Sequence, residues 1–340
     1  MAQKLPIIKT LEFFKKIYPL HIMERIEDDY KNSDFYDPSR NFAKNSSIMP
    51  TRLLQFEMLL KLGNSIDTVS LYSETAFMSC VYEWRKHKKC FRIDEELINQ
   101  FKTQLNDECT IPTSAILNLP YSAFYVEAPV YKEADGFIVK LDEAGQIAEN
   151  NYPCIWLQFV SKTGNKVLES VMCPISNNIT IDEDLLAYDD SSAGKARFEK
   201  EYTMVEFMKL CIFILLYIIS EDADIKSSSL TKNTYKPRNL KDPITDKFRE
   251  VEYFDVGYEI GDRIRRERKL IEESIEVDFG EVPETSIEEP KVKKERKPIK
   301  PHMRKAHWHH FWTGSKEDPD NRQLVVRWVP PTFVKPRSNK

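Results

Sequence analysis

Four runs between residues 120 and 175 decide the fold. They are Ala123-Phe124-Tyr125-Val126, Gly136-Phe137-Ile138-Val139-Lys140-Leu141, Cys154-Ile155-Trp156-Leu157-Gln158-Phe159-Val160 and the segment from Lys166 to Met172. Their β-branched and aromatic content suits a pleated, half-buried surface. Lys162-Thr163-Gly164-Asn165 reads as the turn between the last two. The intervals are too short for the crossover helices that parallel pairing needs, so the runs predict an antiparallel sheet.

Outward from this sheet, both flanks carry helical periodicity. Residues 7–30 place Leu11, Phe14, Ile17 and Tyr18 at steps of three and four, and Pro19 ends or kinks that helix. After a polar stretch from Asn32 to Ser47, Pro50 opens a helix with an apolar face of Leu53, Leu54, Phe56, Leu59, Leu60 and Leu62, and Gly63 stops it. Further helices are expected from about Leu71 to Lys86 and from Asp94 to Leu105.

Beyond the sheet, residues 198–219 return to helix, with Phe198, Tyr202, Val205, Phe207 and Met208 feeding into Leu210 to Ile219, an uncharged apolar run. A membrane span needs ~20 such residues, so this run predicts a buried element. Tyr253 to Ile271 predicts a last helix, with Val256, Ile260 and Ile264 on one face and Gly257 and Gly261 admitting a close neighbour. The fold class is therefore α+β: a helical N-terminal region, a central antiparallel sheet, later helices and a C-terminal basic aromatic β-hairpin. The corresponding organisation is a mixed α/β body over 1–220, a surface loop over 221–250, a helix packed on the body over 251–271, a charged linker over 272–300 and a His/Trp-rich basic cassette over 301–336.

The 340 residues carry a formal charge of −4, unevenly spread. From Lys291 to Lys340 there are 14 Lys or Arg against 4 Asp or Glu, a net of +10. The other 290 residues, with 36 basic against 50 acidic, stand at −14. Such a body repels nucleic acid and suits a cationic peptide, whereas the tail suits phosphate. Six cysteines without a CxxC pair argue against a zinc ribbon and for a reducing cytoplasm. Pro6 and the charges from Glu12 onward interrupt any signal-peptide core. Nucleotide-loop, zinc-protease and nucleophile-elbow signatures are absent, and the sequence calls for no cofactor. The acidic groups Asp182-Glu183-Asp184, Asp189-Asp190 and Glu221-Asp222-Ala223-Asp224 read as solvated charge.

Four of the six histidines and three of the five tryptophans fall between His302 and Trp328. Residues 306–312 and 323–329 read as a hairpin, stopped by Pro330 and Pro331. Period-two geometry puts His307, His309 and Phe311 on one face and Trp308, His310 and Trp312 on the other. Several chemistries compete for this cassette. His307 and His309, with His302, have the makings of a metal site but no carboxylate at a diagnostic spacing. His307 and His309 are also candidates for the acid and base of a metal-independent RNA-cleaving site, with Arg304 or Arg327 on phosphate. Lys293, Lys294, Arg296, Arg304, Lys305, Trp308, Trp312 and Arg327 form a candidate nucleic-acid surface, bases stacking on indoles and phosphates meeting the cations. A docked structural hairpin, aromatic on its buried face, accounts for the same pattern without a ligand.

The cassette also resembles a known family. Pro301-His302-Met303-Arg304, His307-Trp308-His309, Phe311-Trp312-Thr313-Gly314 and then Arg327-Trp328, Pro330 and Phe333-Val334 are similar to the anti-CRISPR proteins of mobile elements that block biogenesis of the type V-A effector nuclease. Pro112-Thr113-Ser114 through Leu117-Asn118-Leu119-Pro120 with Tyr125-Val126, and Gly261 through Arg265-Arg266, extend the resemblance over most of the chain. It implies an inhibitor in the bacterial cytoplasm that binds the nascent N-terminal peptide of its target on the ribosome and causes loss of message and protein. Its partners would be that peptide, from a CRISPR effector or another host protein, and the ribosome or messenger RNA, with no membrane. An RNA-cleaving enzyme, or a phage or plasmid RNA-binding protein without peptide recognition, is the alternative. Under the peptide reading, Tyr121, Phe124, Tyr125 and Trp156 are expected to wall the groove.

Overall fold

The computed structural model describes residues 6–17, 68–131, 133–147, 150–164, 167–176, 179–183, 185, 204–228, 251–278, 302–318 and 321–334. The helix expected after Pro50, and all but the first residues of the linker expected over 272–300, lie outside this set.

The four deciding runs become β2 (Ala123–Tyr131), β3 (Ala134–Ile147), β4 (Asn150–Ser161) and β5 (Val167–Pro174), joined as an antiparallel meander. The sheet is larger than the sequence suggests, and it is mixed. β1 (Lys89–Ile93) pairs in parallel with both β2 and β7 (Glu252–Val256), and β6 (Ile225–Ser227) closes the edge, giving the order β5-β4-β3-β2-β1-β7-β6. α3 (Glu95–Lys102) and a 3-10 turn (Thr113–Asn118) carry the chain from β1 to β2, the crossover that parallel strands require.

The periodicity around Val256 predicted a helix from Tyr253. Instead Glu252–Val256 is β7, and Gly257, at φ 75°, turns the chain into α5 (Tyr258–Asp278). Val256, Ile260 and Ile264 still face one core, because the last residue of a strand and the first turns of the next helix can share a side. Likewise, Ile225–Ser227, within the expected surface loop over 221–250, is a sheet strand.

Alternation along the strands feeds two cores. Phe124, Val126, Phe137, Val139, Leu141, Ile155, Leu157 and Phe159 point to the face covered by α3 and α4 (Met204–Ile218). Tyr125, Ile138, Cys154 and Trp156 point to the face covered by α1 (Pro6–Ile17) and α2 (Thr68–His87). α4 is buried on all sides over its apolar run because it has the sheet on one flank and the C-terminal hairpin on another.

Gly257 and Gly261 do admit a close neighbour. A Cβ on Gly261 would lie 2.1 Å from Asp94 Oδ1, and one on Gly257 would lie 2.4 Å from Leu97 Cδ2. This approach lets Asp94, which caps α3 through the Glu96 N–H, also take both Nη1 and Nη2 of Arg265 on α5, at 2.9 and 3.1 Å. Arg268 clamps Glu96 in the same way one turn on.

Candidate functional site

The cassette is a docked ribbon. β9 (His307–Thr313) and β10 (Gln323–Val329) pair antiparallel as a hairpin, with Trp308 opposite Trp328 and His309 opposite Arg327. Pro330 and Pro331 end β10, but the chain resumes as β11 (Thr332–Val334), paired with β8 (His302–Arg304). The inner face packs on α3 and α4. Trp308 stacks on Phe101 at 5.8 Å and tilts over Phe213 at 5.6 Å, while Trp328 stands edge-on to Phe101 and Tyr217 at 5.5 and 5.6 Å. Aromatic pairs in these geometries hold the ribbon by area burial plus their own ring–ring attraction.

This packing removes several candidate contacts. Trp328 is buried and Trp308 half-buried, so neither ring is free to stack on a base. Arg327 binds Glu221 at 2.5 Å and Asp222 at 3.0 Å, and Lys305 binds Asp107 at 2.7 Å. Their charges are therefore answered by the body. The acids read as solvated after α4 have specific tasks: Glu221 and Asp222 hold the ribbon, and Asp224 accepts the Glu259 and Ile260 N–H groups at the start of α5. Arg304 is exposed, as are Phe311 and Trp312 at the ribbon tip, where Arg322 lies 5.4 Å over the Trp312 ring. Lys293, Lys294 and Arg296 lie outside the described residues.

His307 and His309 share the exposed face, as the strand period requires. Arg327, the residue opposite His309, is turned to Glu221 and Asp222, and no carboxylate among the described residues is hydrogen-bonded to either ring. Among the described residues no three His, Cys, Asp or Glu side chains gather where a metal ion would need them. The cysteines are all buried, and burial pushes the Cys80 thiol up to about 12, too high for a nucleophile. Asp182 is drawn into a pair with Lys209 at 2.7 Å and accepts the Cys109 N–H, while Glu183 accepts from the Thr180 N–H and hydroxyl.

The four residues expected to wall a peptide groove separate. Phe124 and Tyr125 are fully buried on opposite faces of β2, and Trp156 is buried on β4, so these three are core residues with no ring surface open to a peptide. Tyr121 alone of the four is half-exposed, packed against His87 at 5.3 Å with Lys89 Nζ 5.3 Å over its ring.

Sequence reasoning missed a row of charge. Glu127, Arg92, Asp255 and Lys226 stand in register across β2, β1, β7 and β6, alternating in sign. Three of its four residues belong to strands that the hydrophobic patterning did not reveal. β1 and β7 are short and interrupted by charge, so only their pairing brings the row together.

No curated protein matches the chain. The fold is similar to that of a solved structure, "Crystal structure of AcrVA2", with a TM-score of 0.58 at 18% identity, covering 97% of this chain and 98% of that one. The family model AcrVA2-like, the anti-CRISPR type V subtype A2 family, matches residues 91–336, from β1 through the whole ribbon. The chain belongs to this anti-CRISPR family.

Proposed function

We propose that this chain blocks production of a CRISPR effector nuclease in the bacterial cytoplasm, by binding the effector's N-terminal peptide as it leaves the ribosome and bringing about loss of the message and protein. The observation that carries this reading is the family match over 91–336, which takes in the sheet, α5 and the ribbon together. The division of charge supports it: a body at −14 suits a cationic peptide, and a C-terminal part at +10 suits RNA. Tyr121 remains a candidate wall for the peptide. Arg304 and Trp312 remain candidate RNA contacts, joined by Arg322.

Message loss is attributed to a recruited nuclease rather than to the cassette, since no carboxylate among the described residues orients His307 or His309 and Arg327 is already paired. Replacing both histidines with alanine is expected to leave message loss intact; its abolition in a folded double variant would move the chemistry to the ribbon. The deciding experiment is a tagged pull-down from translating cells, before and after puromycin, with bound peptides and RNAs sequenced. One family of nascent N-termini, enriched before puromycin and absent after it, is the expected result. RNA binding that persists after puromycin without a common encoded peptide would overturn the reading.

A further inference from the structure

In a row of alternating charge each member ordinarily has a partner. Arg92 donates from Nε and Nη2 to Asp255 Oδ1 at 2.9 and 2.5 Å, reaches Ser228 Oγ at 3.4 Å and lies 5.5 Å over the Tyr258 ring. Lys226 is paired with Glu259. The guanidinium is thus committed toward β7. Glu127 stands next to Arg92 in register, yet its half-buried carboxylate has no hydrogen-bond partner among the described residues.

An independent observation falls at the same place. Tyr125 precedes Glu127 by two residues and so leaves the same face of β2. It is fully buried, and its hydroxyl has no hydrogen-bond partner among the described residues. Gly136 is the residue opposite Glu127, and a Cβ there would lie 2.8 Å from Tyr125 Oη. The hydroxyl therefore leans along the strand to the row that holds Glu127, and glycine leaves it the room. A buried hydroxyl without a partner is destabilising, and a partly buried unpaired carboxylate adds to that cost.

Asp135, next to Gly136, adds its field to both groups. Among the described charges that act on Glu127, Arg92 is paired with Asp255, and Asp135 adds a second negative charge. Burial lifts the Glu127 carboxyl above its ordinary range against the opposing charge of Arg92, with Asp135 and Asp255 adding to the rise.

We propose that the Glu127–Tyr125 end of the sheet is a binding site for an organic cation, an alkylammonium or guanidinium group. Such a group has only donors, and it can offer N–H bonds to the Glu127 carboxylate and the Tyr125 oxygen together. A lysine or arginine of a bound peptide carries it, which rests on the peptide reading above; a free polyamine carries the same chemistry.

The test is titration of the full chain, followed by backbone amide shifts, with two probes: agmatine, and an acetylated Gly-Arg-Gly amide against its citrulline analogue. Saturable shifts at Glu127 and Gly136 are expected with agmatine or the arginine peptide, and none with citrulline. Tighter binding of the peptide assigns the site to peptides, and tighter binding of agmatine to small cations. Glu127→Gln, which keeps the side-chain shape, should weaken binding roughly tenfold. Tyr125→Phe should weaken it severalfold without lowering the melting temperature, an outcome a merely structural hydroxyl would not give. Absence of saturable shifts with either cationic probe, or equal binding by a folded Glu127→Gln variant, overturns the site. Puromycin-sensitive peptide capture that survives such a failure removes this site alone and leaves the functional reading standing.

Discussion

Two glutamates on the α1/α2 side of the sheet are treated in opposite ways. Glu83, on α2, is almost completely buried and fully answered: Lys86 approaches to 2.8 Å and Ser122 donates to it at 2.7 Å, with His87 on the same hydroxyl at 3.2 Å. Nearby, Lys140 and Asp142 are buried together, and Lys140 donates to Ser79. Glu127 is less buried and has no such shell. Burial raises the carboxyl pKa of both; at Glu83 Lys86, Lys140 and Ser122 outweigh it and the pKa falls, whereas at Glu127 burial prevails and the pKa rises. Buried charge that is satisfied serves the fold, and charge left unsatisfied where a neighbour could have been placed points to something that arrives from outside.

The contrast can be broken most directly at Glu83. Glu83→Ala leaves Lys86 buried without its carboxylate and is expected to cost about 3 kcal/mol, read from the urea midpoint. Ser122→Ala removes a hydrogen bond to a charged acceptor and should cost about 2 kcal/mol in the same measurement. An effect of either substitution near zero would mean that this end of the sheet is no better satisfied than the other. Tyr125→Phe is expected to be neutral or to stabilise by up to about 1 kcal/mol, because it removes a donor that has no acceptor. A clear loss of stability would show that the hydroxyl has a partner and would erase the contrast.

The smallest effect is the pH dependence, which sharpens the comparison because its two signs differ. Glu83 has a folded pKa below its ordinary 4.5, so its contribution is present above the unfolded value and is lost as pH falls through the folded one. Glu127 has a folded pKa above 4.5, so its contribution is present below the unfolded value and is lost as pH rises through the folded one. Glu127→Gln should therefore be slightly more stable than the natural protein at neutral pH, with the advantage shrinking on acidification. A constant difference across pH 3 to 8 would show that Glu127 titrates like an exposed glutamate.

The ribbon and the charge row also differ in how legible they were. Trp308, Trp328 and the alternating histidines announced a hairpin and the two faces of its first strand from period alone, while its register came from the pairing itself. Which face meets the body, and that the indoles fill a core with Phe101, Phe213 and Tyr217, depended on α3 and α4, which come from elsewhere in the chain. The same holds for Arg327, a phosphate candidate in sequence and a partner of Glu221 and Asp222 in space.

By itself the sequence determined the antiparallel meander, α3, α4 and the ribbon, because each declares itself in the spacing of apolar residues over a few turns or strands. It also carried the motifs that matched the family. Only the tertiary structure decided that β1, β6 and β7 exist, since short strands bearing Arg92, Lys226 and Asp255 have no local signature and are stabilised by pairing with other strands, β1 with β7 across 163 residues. It likewise decided that Phe124, Tyr125 and Trp156 are core and that Glu127 has no hydrogen-bond partner among the described residues. Burial and electrostatic neighbourhood are properties of the packed chain, and no single segment carries them.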